Sequence, residues 1–416
     1  MKLKKQIFMI LWAAMGTCTL AQAQTAKLKL SNDFVQQQLD AAARQIKVLD
    51  KETPADKFPK TFENGKEVFS SSSWWCSGFY PGTLFYLYEG TKDQDLLKKA
   101  EAKLTYLEKE KNNKGTHDLG FMLFCSFGNA LRLTGNTQQY KPVLTTGANS
   151  LASRYSQKTK TIRSWDHGSW DYPVIIDNMM NLEFLTQVSR ITGDKKYYDI
   201  AVTHAETTLK NHFRKDYSSY HVIDYDKNTG KVRSKKTHQG AFDESAWSRG
   251  QGWALYGYTM MYRETKKKEF LKQAQQIAKY ILDNPNLPSD LIPYWDFDKD
   301  KIAASDKMYP NKDLRDVSAA ALYASALLEL SQYTKGSESA LYLDKGETII
   351  KNLSQAPYLA PYGQNGGYIL QHSVGALPLN SEVDVPLTYA DYYYVEALIR
   401  YKRLLDGEPI IKEIAK

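Results

Sequence analysis

The sequence predicts an all-α protein in which six helical hairpins close into an (α/α) toroid, and three observations lead to that fold. From Ser31 onward, apolar residues recur at spacings of three and four over about a dozen segments, the period of an amphipathic helix. A short Thr/Gly/Lys turn recurs near positions 90, 135, 193, 265 and 335, in YEGTKDQDLLKKA, LTGNTQQYKPVL, ITGDKKYYDIAVTHA, RETKKKEFLKQA and YTKGSESALYLDKG. Each turn follows a smoother apolar helix and opens a more charged one, as a helix hairpin requires. Four long aromatic loops, 155–177, 212–247, 284–315 and 355–387, all precede the apolar member of a pair, which gathers them on one rim. An open α-solenoid would share the hairpins; the loops collected on one face favour closure.

In chain order, the first residues, MKLKKQIFMILWAAMGTCTLAQAQ, combine a basic start (Lys2, Lys4, Lys5), an apolar run from Ile7 to Met15, and Ala21-Gln22-Ala23 placed like a cleavage site. This is the pattern of a secretory signal peptide over 1–23, too short to span a bilayer. Cys18 follows Met15-Gly16-Thr17, a poor context for lipid attachment, so soluble export to the periplasm or the exterior is expected rather than a lipoprotein. Residues 24–416 contain no Pro/Gly/Ser-rich linker and are expected to form one toroid domain. Helices are expected over 32–49, then in pairs: 79–89 with 93–110, 119–133 with 137–155, 178–191 with 195–211, 246–264 with 267–283, and 316–332 with 338–354. The last helix is expected over 388–406.

The formal net charge is +8, and +5 without the three leader lysines. That is mild for this length and has no long arginine run, which speaks against a nucleic-acid partner and leaves room for a small anionic substrate. Beyond the leader only Cys76 and Cys125 remain; no zinc spacing exists, and two buried free thiols are expected over a disulfide. Aromatic residues make up 12%, and those not needed for the core can stack on sugar rings.

Three aspartates open apolar helices on the loop-rich rim: Asp118, beside His117, before LGFMLFCSFGNALRL; Asp177 before NMMNLEFLTQV; and Asp316 before VSAAALYASALLEL. Taken singly, each reads as a helix cap. Context moves two of them towards chemistry. Asp177 follows the tryptophan-rich SWDHGSWDYPVII, and Asp118 lies one hairpin and one long loop earlier, so the two can face each other across adjacent segments. Two carboxylates at one apolar pocket resist joint ionisation, which holds one protonated towards neutral pH. A protonated acid that can later act as a base suits a hydration or a hydrolysis.

The stretch THQGAFDESAWSRGQGWALY (237–256) sets Arg249 between Trp247 and Trp253, with Gly250 and Gly252 interleaved. Glycines there point to close backbone approach. An arginine framed by indoles suits a sugar bearing a carboxylate, although the same residues could simply pack together. SSSWWCSGFYPG (71–82) offers Trp74, Trp75 and Phe79 as ring platforms. His221, in SSYHVIDYD, reads alone as a surface histidine. KVRSKKT (231–237) carries four cations and reads as a solvated turn or as a contact for a sulfate on the next sugar. HSVGALPLNSEVD (372–384) is expected to close the pocket rim.

The motifs WCSGFYPG, HDLGF, VIIDNMMNLEFL, THQGAFDESAWSRGQGWALYG, DVSAAALYASALLEL and NSEVDVPLTYADYYYVEAL, spread in order over residues 70–405, resemble the unsaturated glucuronyl hydrolases of glycoside hydrolase family 88. The related unsaturated rhamnogalacturonyl hydrolases read RGNGW where this chain reads RGQGW (249–253). The resemblance implies an α/α six-hairpin toroid and hydration of an unsaturated uronic acid without metal or other cofactor. By likeness, Asp177 matches the acid/base and Asp118 the second carboxylate. Trp75 and Phe79 match an aromatic wall of the sugar subsite, and His117, His221, Gln239, Arg249 and Trp253 match further substrate positions. The implied partner is an unsaturated oligosaccharide, most simply a disaccharide, with no nucleic acid and no membrane insertion once the leader is removed. The alternatives are an unsaturated rhamnogalacturonyl hydrolase on pectin fragments and a non-catalytic binder of anionic oligosaccharides. Oligomeric state is left open.

Overall fold

The computed structural model describes residues 28–414; the expected leader and Cys18 lie outside them. Among the described residues the expected helices form as α1 (Asn32–Glu52), α2 (Phe79–Thr91), α3 (Gln94–Leu107), α4 (Asn129–Thr134), α5 (Thr137–Ala152), α6 (Asn178–Thr192), α7 (Lys195–Asn211), α8 (Ser248–Thr265), α9 (Lys268–Leu282), α10 (Val317–Ser331), α11 (Gly336–Leu353) and α12 (Thr388–Leu405). The inner ring runs through α2, the 120–134 segment, α6, α8, α10 and α12, and α12 packs back on α2 to close it. Composition explains which helix goes inside. All of α10, VSAAALYASALLELS, is buried, as a helix apolar on every side must be. Outer α9 instead buries one stripe, Phe270, Ala274, Ile277, Ala278 and Ile281.

The recurring turns are the hairpin corners. Four helices end there in a left-handed residue, Lys92 (φ 62), Gly135 (φ 67), Gly193 (φ 77) and Lys266 (φ 57), whose amide takes up a free carbonyl of the last turn. Those turns account for five hairpins; the sixth comes from the chain ends. Helix α1 packs against α12 and α2, and the Leu30 amide donates to the Tyr401 hydroxyl at 3.1 Å.

Two features differ from the sequence expectation. The helix expected over 119–133 is π-helical over Gly120–Gly128 before becoming α4, a wide-turn geometry that recurs at functional sites. Its first glycine permits close approach to α6: a Cβ at Gly120 would lie 2.6 Å from the Asn181 Cα. Short antiparallel strands also appear, too brief for a period of two to stand out. They are β1 (Phe58–Glu63) with β2 (Lys66–Ser70), β3 (Tyr155–Ser156) with β4 (Thr161–Ile162), β5 (Pro173–Ile175) with β6 (Val222–Tyr225) and β7 (Val232–Lys236), and β8 (Ser373–Ala376) with β9 (Ser381–Val385). These pieces decorate the rim where the inner helices begin.

At the other end of the ring, Arg263 binds Glu183, Glu264 (2.9 Å) and Glu329 (2.7 Å), and Arg400 reaches Glu329 at 3.0 Å. The C-terminal segment folds over this end, with Arg403 donating to the Ile410 carbonyl at 2.8 Å. Cys76 and Cys125 are free and buried.

Candidate active site

Strand pairing assembles the centre. Asp177 follows β5 and His221 precedes β6; because Ile175 pairs with Val222, and the Ile176 amide donates to the His221 carbonyl at 3.0 Å, the two side chains meet. His221 Nδ1 accepts the amides of His238 and Gln239, both at 3.1 Å. A ring nitrogen holding two amides carries no proton, so the hydrogen of the neutral ring sits on Nε2. Nε2 faces Asp177 Oδ2 at 3.6 Å, beyond hydrogen-bond reach. Burial holds this imidazole well below its ordinary pKa, which keeps it neutral. His221 is thus not the surface residue its local sequence suggested.

The three rim aspartates separate by their bonds. Asp316 is a cap, accepting the Ser318 amide at 3.1 Å. Asp177 stands directly before α6 yet makes no capping bond, and its Oδ2 is buried without a hydrogen-bond partner among the described residues. Its pKa is raised from the ordinary carboxylate value to about 7, first by burial and further by the charge of Asp118. The Arg249 cation and its own backbone amide pull the other way, as does the nearby Trp253 indole N–H, which makes no full hydrogen bond. Burial outweighs the helix N-terminus here because the carboxylate takes none of its amides. Asp118 is partly exposed, held by the Thr116 hydroxyl and 3.2 Å from His117 Nε2. His117 is itself buried and held below its ordinary pKa by that burial.

Arg249 sits in the first turn of α8, where a Cβ on Gly250 would lie 2.9 Å from the Trp247 ring and one on Gly252 would lie 3.1 Å from the Tyr323 ring. The close approach expected of these glycines therefore makes room for the Trp247 indole and seats α8 against α10. The guanidinium packs over Trp247 at 4.5 Å and Tyr389 at 5.2 Å. It is already engaged: Nη1 reaches Asp316 Oδ2 at 2.9 Å and the Val374 carbonyl at 2.5 Å, and Nη2 donates to the Gly375 carbonyl at 2.6 Å. What stays available to a ligand is Nε and the second Nη2 hydrogen. Gln239 shares the Gly375 carbonyl at 3.0 Å, so the β8–β9 hairpin closes this side of the rim.

The aromatic residues divide into wall and floor. Trp75 is partly buried, with its centroid 4.9 Å from Tyr389 and 5.5 Å from Phe121. Phe79 and Trp253 are fully buried; they back the wall as core rather than offering an open ring face. Trp74 is 41% exposed, and the Lys60 ammonium lies over it at 4.8 Å. In the 155–177 loop, Trp165 stacks on His167 (5.7 Å) and meets Trp170 and His238. Sequence reasoning did not single out Trp165, His238 or Tyr389; only the repeated tryptophans of SWDHGSWDYP hinted at the first. The basic turn does not offer a row of unpaired cations: Arg233 pairs with Asp224 (3.2 Å), Lys236 with Asp243 (2.7 Å), and Lys235 donates to the Asn211 carbonyl (2.6 Å). A cavity inside the ring, lined by Phe121, Glu183, Tyr256, Tyr393 and Arg400 and bordered by the C-terminal segment, does not include the two aspartates. Among the described residues no group of three or more His, Cys, Asp or Glu side chains could hold a metal ion. The centre gathers a buried, unpaired carboxyl, a second carboxylate and an arginine beside an aromatic wall.

Comparison with known proteins identifies the family. The profile of Glycosyl Hydrolase Family 88 matches residues 42–402. An unsaturated glucuronyl hydrolase of Formosa agariphila is 44% identical over 84% of this chain and 86% of its own. An unsaturated chondroitin disaccharide hydrolase of Streptococcus pneumoniae is 31% identical over 89% and 93%. The crystal structure of an unsaturated glucuronyl hydrolase specific for heparin superimposes with a TM-score of 0.84 at 44% identity, covering 92% of this chain and all of that one. That of the Bacillus sp. GL1 enzyme gives 0.81 at 27% identity, over 89% and 97%. A match running from α1 to α12 through every element of the ring shows that the chain belongs to glycoside hydrolase family 88.

Proposed function

We propose that this protein is a hydrolase that releases 4,5-unsaturated glucuronic acid from the non-reducing end of glycosaminoglycan-derived oligosaccharides left by a lyase. The observation that carries it is the buried, unpaired Asp177 carboxyl with its pKa raised to about 7. Relatives named for unsaturated glucuronyl and chondroitin disaccharide hydrolysis support the substrate class.

The substrate is an enol ether. Asp177 gives its proton to C4, and positive charge develops at C5 and the ring oxygen, where the Asp118 carboxylate stabilises it. The Asp177 carboxylate then takes a proton from the water that attacks C5. The hemiketal opens to a ketone at C5 and leaves C1 as a hemiacetal, which expels the neighbouring sugar. One aspartate suffices as acid and base because both proton transfers involve the same double bond, unlike the paired carboxylates of ordinary glycosidases. In this reading the uronate carboxylate takes the Nε and free Nη2 hydrogens of Arg249 and the side-chain amide of Gln239, and the sugar ring stacks on Trp75.

The test is loss of the ultraviolet absorbance of the conjugated double bond on unsaturated disaccharides from heparin, chondroitin, hyaluronan and pectin lyases. Bleaching of the glycosaminoglycan members is expected, with kcat/KM falling as pH rises through about 7, where Asp177 loses its proton. Bleaching confined to the pectin product would move the assignment to the rhamnogalacturonyl hydrolases, and binding without bleaching would remove the enzyme. The leader pattern at 1–23 supports export; mass spectrometry of protein from the periplasmic fraction is expected to find the chain starting at Gln24, and an intact Met1 would refute export.

A further inference from the structure

The third rim aspartate has no part in the reaction above, yet it is fully buried and does more than cap a helix. Asp316 Oδ1 serves the cap, taking the Ser318 amide at 3.1 Å, while Oδ2 is turned the other way onto Arg249 Nη1 at 2.9 Å. Capping alone needs one oxygen and no charge. The same guanidinium acts on Asp177, pulling its pKa down, and packed rings link the two: His221 Nε2 lies 3.6 Å from Asp177, its ring 4.7 Å from Trp247, and Trp247 4.5 Å from Arg249.

An uncompensated guanidinium in such a dry site would draw the proton off a neighbouring carboxyl and pair with the anion. A general acid already ionised by an arginine has no proton to give. The other groups facing Asp177 offset this only in part. His117 and His221 are neutral, the charge of Asp118 raises Asp177 but acts on it less than Arg249 does, and Glu382 on the β8–β9 hairpin faces Lys60 at 3.5 Å. Among the described side chains, only Asp316 puts a carboxylate oxygen on the Arg249 guanidinium.

We propose that Asp316 is a positioning residue for the reaction: by holding Arg249 in a closed, neutral pair against α10 and the β8–β9 hairpin, it lets Asp177 keep the proton it donates. This rests on the acid role given to Asp177 above. Asp316→Asn and Asp316→Ser both keep a capping oxygen and remove the charge, so either folded variant serves. The carboxylic C=O stretch of Asp177, identified by its absence in Asp177→Asn, is followed against pH by infrared spectroscopy in the substrate-free protein. The titration midpoint is expected to fall by about one pH unit or more, and the alkaline limb of kcat to move with it, a loss of about tenfold at pH 8 beyond that at pH 5.5. An unchanged midpoint, with activity lowered equally at every pH, would reduce Asp316 to a structural cap and overturn the proposal. Because the infrared reading needs no substrate, a wrong sugar class leaves it intact. Absence of any Asp177 acid band in the wild-type protein below pH 7 would sink the acid role and this proposal together.

Discussion

Asp177→Asn is expected to lower kcat by at least about a thousandfold while leaving KM nearly unchanged, since general acid–base catalysis contributes about 10²–10⁴ and both proton transfers run through this one side chain. The same substitution is expected to stabilise the protein above neutral pH. A carboxyl whose folded pKa is raised from 3.8 to about 7 binds its proton more tightly folded than unfolded. Its penalty is therefore absent below about pH 4 and grows as pH rises to about 7, reaching a few kcal/mol by the linkage relation. Asparagine carries no such penalty. Melting temperatures of both proteins at pH 5 and pH 8 check this: the variant should gain on the wild type at pH 8. Near-wild-type turnover would remove Asp177 from the chemistry, and an equal difference in melting temperature at both pH values would mean that its carboxyl is not held protonated.

Arg263→Met is expected to cost about 3–5 kcal/mol of stability, the usual result of leaving buried partners without their counter-ion. The arginine binds Glu183, Glu264 and Glu329 inside the ring; Glu329 keeps a second cation in Arg400 at 3.0 Å and Glu264 one in Arg190 at 3.3 Å, which leaves Glu183 without an ion-pair partner among the described residues. Glu183 is already raised to about 7 by burial, and removing the cation pushes it further up. With folded pKa above unfolded pKa, the native state holds extra protons, so stability is greatest near or below pH 4.5 and falls as pH rises through about 7. The deficit of the variant, read from urea unfolding midpoints, should therefore be larger at pH 8 than at pH 5. A deficit below about 1 kcal/mol at both would show that the ring interior admits enough water to solvate the three carboxylates.

The helix ladder was legible because it is written in local spacing. The apolar periods of 178–191 and 267–283 and the Gly135 and Gly193 turns need no knowledge of what lies across the ring. The π-helical turns after Asp118 and the short strands were not legible. The π turns depend on how closely Gly120 meets Asn181, and β5 pairs with β6 across nearly fifty residues, a contact that leaves no periodic trace in either segment. The sixth hairpin was hidden for a similar reason, since α1 and α12 come from opposite ends of the chain.

For the site, the motif words HDLGF, VIIDNMM and RGQGW pointed to Asp118, Asp177 and Arg249, and the sequence by itself determined the family, the ring of hairpins and the residues gathered on its rim. Only the tertiary structure decided which aspartate caps a helix and which is left without a hydrogen bond, that Phe79 and Trp253 stand behind the wall, and that Asp316 holds Arg249. The physical reason is that helix periodicity is a property of neighbours along the chain, whereas a carboxyl's proton affinity and an arginine's remaining donors are set by burial and by charges that folding brings from distant segments.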